Sequence, residues 1–200
     1  MGFESLDHLA EEVFAILGKA GIPAEIIGGY ALSHYGYVRN TVDIDVVVGG
    51  DYSTALKVLK DHGFTEAERV FKLMTPAIPD KRVDVLPAGK RMSGSPTPNP
   101  IPSRVGTTPV FVPLKDLLAL KIGVLLSMHA GVEVDRKNEA DLYALIRINK
   151  LPKTFMDGYP HEDTRLHYWV MWDELDREKQ VGKTSSLDES YDPFSDFFNT

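Results

Sequence analysis

The sequence predicts an α/β (α+β) protein, built on a mixed β-sheet with helices packed on it and followed by C-terminal helices. Short runs of apolar and β-branched residues, typical of buried strands, are interleaved with segments whose apolar residues recur at helical spacing. Several connections between them are too short for the crossovers of a purely parallel sheet, so we expect a mixed sheet. The chain has 200 residues, of which 43% are hydrophobic, and this suffices to bury the core of one such domain.

Each predicted element follows from its own local pattern. Leucine, valine and phenylalanine at helical spacing define the first helix, which Gly21 and Pro23 end. The β-branched run that closes on Gly49 and Gly50 is the clearest strand, and Asp51 is placed to cap the helix after it. Strands are predicted at residues 24–27, 41–48, 68–74 and 82–86, and helices at 5–20, 30–35, after 51, and at 114–128, 139–148 and 163–179.

Composition divides the chain into three regions. Residues 1–112 form the predicted α/β core, 113–181 a C-terminal helical region, and 182–200 an acidic tail that we expect to be flexible. Residues 88–109 are rich in proline, serine, glycine and threonine, which predicts a long loop of the kind that often serves function. This loop carries the basic residues Lys90, Arg91 and Arg104.

The charge and the absence of cysteine argue against several functional classes. The net charge of −7 argues against a general nucleic-acid coat protein, because nonspecific phosphate binding needs a surplus of lysine and arginine on one face. The absence of cysteine excludes a disulfide framework and any thiolate metal site, and it suits the reducing cytoplasm. No apolar run approaches the ~20 residues that cross a bilayer. We therefore expect a soluble cytoplasmic protein without a membrane partner.

Two aspartates interrupt the most apolar strand. Asp43 and Asp45 are two residues apart, so both side chains should point to the same face, about 6.6 Å apart at ~3.3 Å per residue. Two ionised carboxylates at that separation repel by about 2 to 3 kcal/mol at an effective dielectric constant near 20. Either water at an exposed strand end or a divalent cation must offset this repulsion, and hard cations such as Mg²⁺ prefer carboxylate oxygens.

Two further features favour a metal site. Gly28 and Gly29 end a predicted strand and open a helix, where backbone N–H groups can approach an anion closely. Asp84 is isolated between Val83 and Val85, and a carboxylate in an apolar strand is costly unless it is paired or liganded. If the two aspartate-bearing strands are neighbours, three carboxylates share one pocket.

The order of these parts resembles the nucleotidyltransferase fold of the DNA polymerase β superfamily. The family signature is an apolar residue with Gly-Gly or Gly-Ser, then Asp-apolar-Asp, then a later apolar-Asp-apolar. The matching segments here are Ile27-Gly28-Gly29, Asp43-Ile44-Asp45 and Val83-Asp84-Val85. The resemblance covers residues 22–148, with Gly29 standing where many members have serine.

The neighbouring residues are similar to the small stand-alone branch of this superfamily, which includes toxin-like nucleotidyltransferases. The matching features are Arg39 and Thr41 before the aspartates, a helix that carries Lys121, and the segment from Lys137 to Leu142 with Asp141 in place. Asn138 stands where the branch usually has an acidic residue. Lys137 and Asp141 can also pair simply within a helix, at i and i+4.

The resemblance implies an enzyme that transfers a nucleoside monophosphate from an NTP to a hydroxyl acceptor and releases pyrophosphate. Asp43, Asp45 and Asp84 are then the catalytic and metal-binding residues, which hold two Mg²⁺ or Mn²⁺ ions. The implied nucleotide-binding residues are Gly28, Gly29, Ser33, Arg39 and Lys121. Three of them also have a purely structural interpretation. Ser33 could cap a helix, Arg39 could be a solvated charge, and Lys121 could snorkel along an apolar face.

Several acceptors and partners are compatible with the sequence. An RNA end such as that of tRNA, a protein hydroxyl and a small molecule such as an aminoglycoside all fit, and the basic loop would guide an RNA strand. The toxin-like branch also implies an antitoxin-like partner protein. The alternative function is a noncatalytic module that keeps the fold to bind a nucleotide or a partner. The acidic tail, with Phe194, Phe197 and Phe198, is a further candidate for an autoinhibitory segment.

Overall fold

A five-stranded mixed sheet forms the centre of the protein in a computed structural model that describes residues 3–66, 72–75, 78, 80–91, 95–127 and 132–185. The strands are β1 (Ala24–Ile27), β2 (Asp43–Val48), β3 (Thr65–Glu66), β4 (Lys72–Met74) and β5 (Arg82–Pro87). Their order across the sheet is β1-β2-β5-β4-β3. Only β2 and β5 run parallel among these neighbours, so the predicted mixed sheet is confirmed.

Helices surround this sheet and continue beyond it. They are α1 (Phe3–Lys19), α2 (Gly28–His34), α3 (Tyr52–Asp61), α4 (Leu114–Leu125), α5 (Val132–Ile148) and α6 (Glu162–Ser185), with a 3₁₀ turn at Lys153–Met156. Helices α1 and α3 pack against each other and contact the sheet, and α4 packs against α5 and α6. The predicted α/β class with C-terminal helices is therefore confirmed. None of the described helices is long and apolar enough to cross a membrane.

Strand alternation sorts the residues of β2 into a core face and a site face. Ile44 and Val46 are fully buried, whereas Asp43 and Asp45, which alternate with them along the strand, are only partly buried. Beyond Asp45 the strand is buried on both faces, through Val47 and Val48. The carboxylates therefore lie at the open end of a strand whose other end anchors in the core.

The element boundaries differ from the predicted ones mainly at the ends. Helix α2 begins at Gly28, so the two glycines form the first turn of the helix and do not precede it. As predicted, Asp51 caps α3, and its side chain accepts a hydrogen bond of 3.0 Å from the Thr54 N–H. Helix α6 extends to Ser185, into the region predicted as a tail, and residues 186–200 lie outside the described residues. Residues 68–71 of the predicted strand 68–74 lie outside them as well.

The long loop after β5 folds back against the sheet. In its described parts, residues 88–91 and 95–109, it contains neither a helix nor a strand, apart from the single bridge between Arg91 and Pro98. The chain then runs beside β1, where the Ile26 N–H donates to the Val110 carbonyl and the Val112 N–H to the Ile26 carbonyl. This return positions the start of α4 next to the site face of the sheet.

Candidate functional site

The two aspartate-bearing strands are direct neighbours. The parallel register of β2 and β5 pairs Asp45 with Asp84, and Asp43 with Arg82. Paired residues on adjacent strands point to the same face, so Asp43, Asp45 and Asp84 share one face of the sheet. The prediction that three carboxylates share one pocket required these two strands to be neighbours, and they are.

Asp45 lies at the electrostatic centre of this group. Burial, followed by the charges of Asp43 and Asp84, raises the pKa of Asp45 to about 7. A hydrogen bond from the Gly29 N–H and the charge of Lys121 oppose this shift only in part. Burial also raises the pKa of Asp84, and the ammonium of a nearby lysine partly offsets the rise. Three negative charges at this position are thus costly without a further cation.

The glycine turn lies directly against Asp45. Gly28 has a positive φ of 68°, and a Cβ atom there would overlap the Asp45 carboxylate. A Cβ at Gly29 would lie 3.1 Å from both Arg39 Nη2 and Thr41 Oγ1. The space that a serine side chain would take at this position is therefore bordered by a guanidinium and a hydroxyl group.

Neighbouring donors hold the two outer carboxylates. Thr41 Oγ1 donates to Asp43 Oδ1 at 3.0 Å, and Arg82 lies 3.9 Å from the other oxygen of Asp43. Lys72 Nζ lies 3.5 Å from Asp84 Oδ2, across the β4–β5 pairing. Asp84 Oδ1 is buried and has no hydrogen-bond partner among the described residues.

This donor set fits a hard divalent cation. It offers carboxylate oxygens, of which one is orphaned and buried, in a cluster whose mutual repulsion a cation would relieve. As the side chains stand, however, no three carboxylate or imidazole groups within the described ranges are close enough together to enclose a metal ion.

A buried ion network lies beside the glycine turn. Asp141, with a side chain only 1% exposed, accepts from Arg39 Nε at 2.8 Å and Arg39 Nη2 at 3.1 Å, and from Lys121 Nζ at 2.6 Å. Arg39 is therefore not a freely solvated charge, and Lys121 does not snorkel to the surface. Burial lowers the pKa of Lys121, and Asp141 opposes that shift. Two cations share one carboxylate here, which leaves positive charge near Gly29.

Two other predicted contributors, Ser33 and Lys137, lie apart from this cluster or differ in their contacts. Ser33 Oγ donates to the Tyr30 carbonyl at 2.8 Å, which is the capping alternative, and it borders a separate depression. Lys137 is exposed, and the Asp141 carboxylate is occupied by Arg39 and Lys121.

The three basic residues of the long loop are exposed, although other parts of the loop are buried. Lys90 and Arg91 follow β5, and the Lys90 carbonyl accepts from the Asn99 N–H. Arg104 lies within electrostatic range of Glu25 on β1. The three bases therefore border different parts of the loop.

A cavity of about 160 Å³ opens beside Gly28 and Asp45. Residues from three parts of the fold form its walls: Ile27, Leu86, Ser95, Thr97, Asn99, Leu117, Leu120, Lys121, Val124 and Asn138. Sequence reasoning missed the loop residues in this wall, and it also missed the contact of Lys72 with Asp84. The prolines and small polar residues of the loop predicted a functional segment, but nothing in their spacing indicated which side chains turn inward.

Replacing Asp45 by asparagine should stabilise the metal-free protein at alkaline pH. Because the folded-state pKa of about 7 exceeds the ordinary value of 3.8, ionisation of Asp45 costs folding free energy that grows as the pH rises from about 4 through 7. The asparagine variant lacks this penalty. We expect a gain of about 2 kcal/mol at pH 8, below the full value of the shift because the side chain is partly solvated, or roughly 4–8 °C in the unfolding temperature.

Thermal unfolding in a chelator between about pH 4 and pH 8 measures this effect. The two proteins should unfold at similar temperatures near pH 4 and diverge above it. Asp80→Asn, at an exposed position, is the matched control and should follow the wild type. The same pH dependence in Asp45→Asn and wild type would contradict the electrostatic description of the cluster.

The fold is that of known nucleotidyltransferases. No protein-family model matches the sequence, and no match is found among curated proteins. Among solved structures, the solution structure of the antibiotic-resistance factor ANT(2'')-Ia matches with a TM-score of 0.53 and 18% identity, over 90% of this chain and 100% of that one. The crystal structure of ANT(2'')-Ia in complex with adenylyl-2''-tobramycin matches with a TM-score of 0.52 and 16% identity, over 84% and 98%.

A third structure extends the comparison to a fungal protein. An antigenic nucleotidyltransferase-like protein from Paracoccidioides brasiliensis matches with a TM-score of 0.56 and 14% identity, over 92% of this chain and 93% of that one. At these identities the likeness concerns the fold. The chain therefore has the nucleotidyltransferase fold that its Gly-Gly, Asp-x-Asp and single-Asp segments resembled in sequence.

Proposed function

We propose that this protein is a metal-dependent nucleotidyltransferase that transfers NMP from an NTP to a hydroxyl acceptor. The observation that carries the proposal is the register of β2 and β5, which aligns Asp45 with Asp84 on the face where the Gly28 turn contacts Asp45. A fold can be kept without its acidic residues, whereas three carboxylates held together at an energetic cost need a function that repays it.

The glycine turn and the buried ion network provide the nucleotide-binding groups in this proposal. Because Gly28 and Gly29 have no side chains, the Asp45 carboxylate and the Arg39 guanidinium lie directly against the turn, so phosphates bound beside it would be close to both. Arg39 and Lys121 supply positive charge beside that turn, and Asp141 holds both in place. This arrangement suits the β- and γ-phosphates of an NTP.

Transfer then requires an in-line displacement at the α-phosphorus. The acceptor oxygen forms the new bond to phosphorus, the bond to the β-phosphate oxygen breaks, and pyrophosphate leaves with the released charge. Mg²⁺ or Mn²⁺ held by Asp43, Asp45 and Asp84 would supply charge neutralisation for the attacking and leaving oxygens, in the two-metal arrangement typical of this chemistry. The unpaired Oδ1 of Asp84 is the candidate to take the acceptor proton.

A small hydroxylated molecule is the acceptor that the charge favours. The net charge of −7 disfavours a polyanionic RNA and favours a cationic acceptor. The structural neighbour ANT(2'')-Ia was crystallised with adenylyl-2''-tobramycin, a nucleotidylated small molecule. An aminoglycoside is therefore a suitable first acceptor to test, with tRNA and a protein hydroxyl as the alternatives.

A noncatalytic nucleotide- or partner-binding module is the second candidate. The contact of Lys72 with Asp84 favours it, because an ammonium group already neutralises part of the acidic cluster. The orphaned oxygen of Asp84 argues in the other direction, since a purely structural ion pair would satisfy both oxygens. An antitoxin-like partner protein would be compatible with either function.

Asp84→Asn should separate chemistry from binding. We expect NTP affinity within about threefold of the wild type and a transfer rate lowered by about 10²-fold or more, as for the loss of a general base. The measurement is pyrophosphate release, with labelled NTP and a panel of aminoglycosides, tRNA and protein acceptors. Asp80→Asn should keep the wild-type rate, and an Asp84→Asn variant that also keeps it would refute the assigned role.

Alanine at Lys90, Arg91 and Arg104 together should leave transfer within about twofold of the wild type if the acceptor is small, because these exposed charges then meet no substrate phosphate. The readout is the transfer rate at low and high salt with each acceptor. A loss of tenfold or more with tRNA, together with a weaker salt dependence, would instead indicate an RNA acceptor.

A further inference from the structure

The cavity beside Asp45 has the size of a single aromatic ring system. Its volume is about 160 Å³, and a cavity of ~150 Å³ in a protein core accommodates benzene. Several linked sugar rings do not fit in this space, so an aminoglycoside acceptor would have to bind outside it. The cavity borders Gly28 and Lys121, the groups assigned to the β- and γ-phosphates, so the base that the ribose and α-phosphate join to them would lie near this cavity.

Its walls are apolar on one side and polar on the other. Leu117, Leu120 and Val124 form one face of α4, and Ile27 and Leu86 add apolar surface from the sheet. The polar wall comes from the loop after β5, through Ser95, Thr97 and Asn99, all of which are buried. A flat heterocycle with polar edge groups suits such walls better than an aliphatic chain or a charged group does.

Asn99 is the residue in this wall with an unmet hydrogen-bonding requirement. Its side chain is 2% exposed, and Oδ1 has no hydrogen-bond partner within the described part of the chain. The hydroxyls beside it differ, because Ser95 Oγ donates to the Thr97 carbonyl and Thr97 Oγ1 lies 3.4 Å from Thr164 Oγ1. Leaving a buried acceptor unsatisfied costs free energy, which a ligand donor would recover once a small shift of the Asn99 side chain brings Oδ1 to the cavity surface.

The orientation of the Asn99 amide follows from its other contact. Nδ2 donates to the Pro87 carbonyl at 3.0 Å, and a flipped amide would set its oxygen against that carbonyl. Asn99 therefore presents an acceptor, not a donor, as its unused group. A ligand atom that pairs with it must carry a hydrogen.

We propose that this cavity holds the base of the nucleotide and that Asn99 selects adenine and cytosine, the bases with an amine at C6 of the purine or C4 of the pyrimidine. Both carry an NH₂ group on the edge of the ring where guanine and uracil carry a carbonyl oxygen. A carbonyl would face Asn99 Oδ1 as a second acceptor and leave both atoms unpaired. This inference rests on the proposed function, because it takes the ligand to be an NTP whose phosphates lie at the glycine turn.

The first arm of the test varies the ligand and needs no variant. Isothermal calorimetry with Mg²⁺ compares ATP, CTP, GTP, UTP and purine riboside triphosphate, which is ATP with hydrogen in place of the amine. We expect ATP and CTP to bind about tenfold more tightly than the other three, as for one hydrogen bond to a buried acceptor. Equal binding of all five would overturn the inference and leave the proposed function standing, whereas no binding of any would overturn both.

The second arm varies the protein. Asn99→Leu should reduce the preference for ATP over purine riboside triphosphate from about tenfold to less than about twofold, because the acceptor is gone. Asn149→Leu is the matched control: Asn149 also donates to backbone carbonyls, those of Tyr35 and Leu145, but it does not line the cavity. It should keep the full preference. A preference that survives in folded Asn99→Leu would show that another group reads the base.

Discussion

The electrostatic repulsion among three partly buried carboxylates is the constraint around which the site is organised. Strand alternation directs Asp43 and Asp45 to one face, and the β2–β5 register adds Asp84. Each of the three carboxylates has a neighbour that lowers the free-energy cost of its negative charge. Thr41 donates to Asp43, the Gly29 N–H donates to Asp45, and Lys72 pairs with Asp84. The compensation is incomplete, since the pKa of Asp45 is still raised to about 7. A bound cation would relieve the repulsion that remains.

The second charged centre has the opposite character. Asp141 is almost fully buried and is overcompensated by Arg39 and Lys121, so this part of the site carries excess positive charge. It also joins the chain before β2 to helices α4 and α5, which ties the helical region to the sheet. A nucleotide that bridges the two centres would bring its phosphates to the cations and its reacting phosphorus to the carboxylates. In the proposed reaction, this separation of charge would orient the NTP as well as attract it.

Local pattern predicted most of the fold and the acidic part of the site. The alternation of β2 and the glycine pair are local features, and the structure adds the adjacency of β2 and β5 that the prediction assumed. The remaining contacts depend on tertiary structure. Arg39 and Asp141 are 102 residues apart, Lys72 faces Asp84 only through the β4–β5 register, and Asn99 lies in a loop without periodicity. Spacing along the chain contains no signal for such contacts.

The most direct test of the account is metal-dependent nucleotide binding by the wild type and by an Asp43→Asn, Asp45→Asn double variant, measured by calorimetry with and without Mg²⁺. Circular dichroism and thermal unfolding should first establish that the variant is folded. We expect the wild type to bind at least one NTP only when Mg²⁺ is present, and the folded variant to lose this binding. Nucleotide binding that is indifferent to both Mg²⁺ and the double substitution would contradict a metal site at these aspartates.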